Sequence, residues 1–168
     1  MRFKMGANFE ITIIGKQAIS ILSAMNIFRV LDKNADIVSI HEFPDWAFSE
    51  DTSSPINLDC VWKSVCQGKK VQIKIFSSAK NAGAIAYREG SFNILSFWIS
   101  TEDLPELDHF SLTPENSQII NQLTEIAYQS LTTNDLLLAM GSEMFIEISD
   151  NINEIIEKSY NVMKWIIL

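Results

Sequence analysis

Residues 71–100 read VQIKIFSSAKNAGAIAYREGSFNILSFWIS, and the way this stretch pairs decides the fold. Val71, Ile73 and Ile75 alternate with Gln72, Lys74 and Phe76, the period of a strand with one buried face. Residues 84–88 and 91–100 flank Glu89-Gly90, whose chemistry suits a two-residue hairpin turn. Three strands are therefore expected to pair in sequence. Phe92, Ile94 and Trp98 share one side of the last strand and Leu95, Phe97 and Ile99 the other, which predicts a central strand covered on both faces.

Working outward, residues 9–14 and 37–43 also alternate as strands, ended by Gly15 and Pro44. Between them Ala18, Ile21, Leu22, Met25, Phe28 and Leu31 recur at helical spacing, predicting a helix over 16–31. Residues 49–55 carry turn chemistry, and Asn57 to Gly68 reads as a short capped helix. Thr113-Pro114-Glu115 supplies a capping hydroxyl, a first-turn proline and an acid at the positive dipole end, so a helix starts there. Residues 136–140 and 144–149 flank Gly141-Ser142 as a second hairpin, with Asn134 capping a short helical turn as the alternative. Asn151 and Glu154 suit a capping box for a terminal helix that buries Ile152, Ile155, Ile156, Tyr160 and Met163. The expected fold is α+β, a mostly antiparallel sheet with about four helices packed on it, in one domain over residues 1–168.

Composition narrows the function classes. With 168 residues and 47% apolar content the chain can build one core without disulfides or a structural metal. Cys60 and Cys66 fall on different sides of one helix and are expected as reduced, buried thiols. No segment has the length of a signal-peptide core or a membrane span, so a cytoplasmic protein is expected. The net charge of −8 argues against direct binding to nucleic acid or an anionic membrane.

That charge is unevenly written. The first 88 residues hold eleven Lys/Arg against eight Asp/Glu, whereas Glu89 to Glu157 holds thirteen carboxylates and no Lys or Arg. Such a one-signed stretch adds self-repulsion that interspersed lysines would avoid. It suits a docking face for a basic partner, because complementary fields speed association.

Motifs for chemistry are sparse. His41-Glu42 with Asp45 offers a base and two carboxylates at a strand end, the one cluster that suits a small enzyme. No Ser or Cys stands beside it as a recognisable nucleophile. His41, His109, Cys60 and Cys66 lack the paired spacing of a zinc site, and residues 102–108 lack the glycine and alternating oxygen ligands of a calcium loop. Gly15-Lys16 lacks the remainder of a phosphate loop, and no cofactor is expected. Trp62 and Trp98 fit the core, Trp46 can anchor a partner, and the tail Trp165-Ile166-Ile167-Leu168 could join two copies in a self-associating adaptor.

In its size, α+β pattern, lack of a catalytic motif and Glu89 to Glu157 acidity, the chain resembles the immunity proteins that bacteria make against toxins, including those of contact-dependent and other polymorphic toxin systems. The resemblance implies a one-to-one complex with a cognate basic toxin domain, often a nuclease, whose active site or substrate groove is covered by acidic side chains. On that reading Glu102, Asp103, Glu106 and Asp108 are the charged contacts, Glu143 and Glu147 come next, and Trp46 is the apolar anchor.

Overall fold

The computed structural model describes residues 7–44, 53–79, 81–132 and 135–168. Its strands are β1 (Asn8–Gly15), β2 (Asp36–Phe43), β3 (Ser54–Pro55), β4 (Lys70–Phe76), β5 (Ala82–Glu89), β6 (Phe92–Ser100), β7 (Leu136–Ser142) and β8 (Lys164–Ile167). They form one antiparallel eight-stranded sheet in the order β3-β2-β4-β5-β6-β1-β7-β8. Among the described residues four helices accompany it: α1 (Ile21–Phe28), α2 (Val61–Cys66), α3 (Pro114–Ser130) and α4 (Ile152–Lys158). This is the α+β architecture that the strand periods imply.

Strands β4, β5 and β6 pair consecutively, and β6 lies in the interior of the sheet. The β5–β6 hairpin turns one residue later than expected, at Gly90-Ser91, because Glu89 still pairs with Phe92 and the left-handed residue is Gly90. On one face Phe9, Ile11 and Ile13 of β1 meet Leu95, Phe97 and Ile99 of β6, beneath α1, α2 and α3. Phe28 of α1 stacks on Phe97 at 5.5 Å between ring centroids. On the opposite face Ile14, Phe92, Ile94 and Leu137 pack against Ile155 of α4.

Several expectations are corrected. Helix α1 begins at Ile21, not residue 16, because Ser20 is extended and its hydroxyl accepts from the Ser23 amide; Leu22 is consequently exposed while Ala24 and Ile27 are buried. Asn57 makes no side-chain cap, and a 3-10 turn at Leu58–Cys60 precedes the two-turn α2. That helix turns Val61, Ser64 and Val65 towards the sheet, so Cys60 and Cys66 are exposed free thiols. Thr113 caps α3 as expected, with Asn116 completing the capping box. Trp62 and Trp98 are half-buried, with Trp98 lying against Gly83.

The largest difference follows β7. Gly141 and Ser142 belong to that strand, and residues 144–149 do not return as its hairpin partner. Glu143 takes a left-handed φ of 51° and sends the chain across the open face as a strap. The strap carries α4, is closed by a Phe145–Tyr160 bridge, and returns as β8 beside β7. Asn151 caps α4 through the Asn153 amide, whereas Glu154 bonds Ser149 and Lys158 and completes no capping box. The chain is extended at Ser159 and left-handed at Asn161, which stops α4 before Tyr160. The Trp165 to Leu168 tail is thus sheet, with Ile166 buried and Leu168 bonded to Leu136 and Asp135.

Candidate functional site: the acidic end of the sheet

Antiparallel pairing brings three acidic segments to one place. β1 begins where β6 and β7 end, and its first residues accept hydrogen bonds from both sides: Thr101 N–H donates to the Ala7 carbonyl at 2.9 Å, and Glu143 N–H to that of Asn8 at 3.1 Å. Two strand spacings therefore separate those backbones, about 10 Å. Beyond Thr101, Ser100 caps a 3-10 turn at Thr101–Asp103, a second follows at Pro105–Leu107, and the fully buried Leu107 side chain pins the loop. Glu102 is exposed and Glu106 and Asp108 are partly so; Asp103 lies in the first turn, and its side chain is outside the described residues. Glu143, exposed, faces this loop across the start of β1.

Glu10, two residues into β1, lies near the same end of the sheet but on its strap face, whereas Leu107 anchors the loop in the core on the helix face. Glu10 is opposite Trp98 on one side and Gly141 on the other. Burial and the nearby Glu143 raise its pKa, and a hydrogen bond from the Met144 amide only partly opposes them. A raised carboxyl pKa means that the folded chain holds the proton more tightly than the unfolded one. Ionised Glu10 therefore weakens the fold, fully so above its folded pKa, and this penalty fades as pH falls towards the ordinary value of 4.5. Glu10→Gln, which keeps an acceptor for Met144, is expected to melt higher than the parent chain at pH 7 and level with it near pH 4.

Exposed apolar groups adjoin the acids. The strap's Phe145 and Tyr160 rings stack at 4.9 Å and remain 47% and 58% exposed, between Glu143 and Glu147. Phe110 and Leu112 are similarly open just after Asp108. Periodicity places Tyr160 in a helix interior and gives no sign of Phe145; α4 instead ends at Lys158 with an extended Ser159, and the local signal for a turn just beyond it is Asn161, a residue tolerant of left-handed backbone.

The other acids of the one-signed stretch are placed elsewhere. Glu89 and Asp135 sit at the opposite end of the sheet, Glu115 is in the first turn of α3 and Glu125 midway along it, and Glu147, Asp150, Glu154 and Glu157 follow the strap. Lys16, Lys69, Lys70 and Arg88 also lie at that opposite end, placed by the pairing of Gly15 and Arg88 with Asn93 and of Lys70 with Phe43. Among the described residues, Lys74 of β4 and Lys164 of β8 are sheet cations at the acidic end, and Glu42 joins Glu89 and Asp135 at the other. Among those residues the acidic end is the more negative of the two.

Of the alternative catalytic cluster, His41 and Glu42 do not face each other. His41 and Glu42 are consecutive strand residues and face opposite sides of β2, His41 beside Gln72 and Glu42 beside Val71. Glu42 is held by the Ser64 hydroxyl and by Lys69 Nζ at 3.0 Å, and those two groups, in that order, keep its pKa below the ordinary range. His41 lines a shallow cleft with Phe43, Ser53, Gln72 and Lys74. Asp45 and Trp46 lie outside the described residues. Among the described residues, no three His, Cys, Asp or Glu side chains converge on a metal position, and no helix is long and apolar enough to cross a membrane.

No protein-family model matches this chain, and no curated protein or solved structure is significantly similar to it.

Proposed function

We propose that this chain is a binding protein that neutralises a cognate basic protein domain, as the immunity proteins it resembles do, by laying the acidic end of its sheet over the partner's active site or substrate groove. The observation that carries the reading is that Glu10, the Glu102 to Asp108 loop and Glu143 all lie at one end of the sheet, around the start of β1, with the exposed Phe145–Tyr160 stack on its strap side. Aromatic anchors with a charged surround are the usual anatomy of a specific protein interface. Cations at the other end of the sheet favour approach of a basic partner from the acidic end.

The test is co-purification with the product of the neighbouring reading frame, followed by binding kinetics at two salt concentrations. A one-to-one complex is expected, with Glu102→Lys plus Glu106→Lys slowing association about tenfold at low salt and less at high salt. Tyr160→Ala is expected to speed dissociation instead. A complex indifferent to both changes would sink the reading.

A further inference from the structure

Behind the acidic end, between strap and sheet, lies a cleft of about 200 Å³. Its floor carries Glu10, Thr12 and Ser96, the two hydroxyls bonded to each other at 2.9 Å, with Ile85 and Ile94 beside them; its far wall is the strap's Met144, Ile146 and Ile148, and Tyr87 closes one side. Among the described residues, the Met144 amide is the hydrogen-bond donor set against Glu10, and none of the ion pairs involves that carboxylate. A half-buried carboxylate in an apolar-walled cleft, pressed by a second carboxylate, is a group whose desolvation is offset only when a cation arrives. The walls suit the methylene stem that precedes such a cation, since Lys and Arg lay their stems along apolar surface.

We propose that this cleft is a socket for one lysine or arginine side chain of the basic partner, with Glu10 receiving the charged head and Met144, Ile146 and Ile85 holding the stem. The proposal rests on the docking reading above for its partner, but its chemistry is separable and can be tested without one. The probes are n-butylguanidinium and n-butylammonium, with n-butanol as the neutral control, titrated at pH 7 while the NMR signals of the Met144 methyl and the Thr12 and Ser96 amides are followed.

Both cations are expected to give saturable shifts confined to the cleft, and n-butanol none. Glu10→Gln should weaken cation binding about tenfold or more, the loss of a charge-assisted contact. Ile85→Trp, which fills the floor from the exposed face of β5 and leaves the carboxylate in place, should abolish it. Cation binding that survives Glu10→Gln unchanged, equal binding of n-butanol, or no binding of either cation would each overturn the socket. The docking reading is judged separately: a partner complex weakened by the Glu102/Glu106 reversals yet indifferent to Glu10→Gln refutes the socket and leaves the surface standing.

Discussion

Replacing Phe97 with alanine is expected to destabilise the fold by about 3–5 kcal/mol, the range for emptying a buried aromatic site. Phe97 is 1% exposed in the middle of β6, and its neighbours across the sheet are Ala84 on β5 and Ile11 on β1. Its ring fills the room that Ala84 leaves and supports Phe28, so truncation opens a void that no small neighbour can close. Phe97→Leu keeps most of the volume and should cost less than about 1.5 kcal/mol. Urea denaturation of the two variants measures the difference; an alanine variant within about 1 kcal/mol of the parent would show that β6 is not the centre of the core.

The second large effect is at Gly141. A β-carbon there would lie 2.4 Å from the Asn161 carbonyl oxygen and 2.8 Å from Met144 Cγ, so both ends of the strap close over this glycine. The Asn161 contact is backbone and cannot swing aside. Gly141→Val is therefore expected to cost on the order of 3 kcal/mol by overpacking, and to do so by lifting the strap. Amide exchange at Phe145 and Tyr160, whose backbones bond each other at 3.0 and 3.1 Å, should accelerate far more than at Leu95. Uniform acceleration would mean that the strap does not open as a separate unit. Because Met144, Ile146 and Ile148 form one wall of the Glu10 cleft, the same variant should also lose the alkyl-cation site.

These two positions also divide what the sequence declared from what it withheld. The alternation around Phe97, the Thr113 cap and the left-handed Gly68 are local signals, and local physics was enough to place β4 to β6, the start of α3 and the end of α2. The strap was illegible for the opposite reason. Its Ile146 and Ile148 alternate as a strand would, but the edge of β7 they would have paired with is taken by β8, whose residues stand some twenty positions later. A contact with Gly141 and a left-handed Asn161 have no periodicity to reveal them.

The acidic site was half legible. Glu102, Glu106, Asp108 and Glu143 stood out as carboxylates in a segment empty of cations, yet nothing in that segment says that β1 will gather them. Glu10 lies far upstream in a mildly basic half, and only the sheet order brings it alongside Glu143.

Setting β1 between β6 and β7 has a consequence for how the chain reaches this state. Thr12 bonds a residue 84 positions ahead and Asn8 one 134 positions ahead, so the middle of the sheet cannot close until distant segments have been made and found. Such closures carry their loop entropy before any reward, which places refolding in the slow regime of milliseconds to seconds and leaves the edges of β1 open meanwhile. A ligand that grips only the finished acidic end would then act as a thermodynamic trap, drawing slow folders forward by mass action.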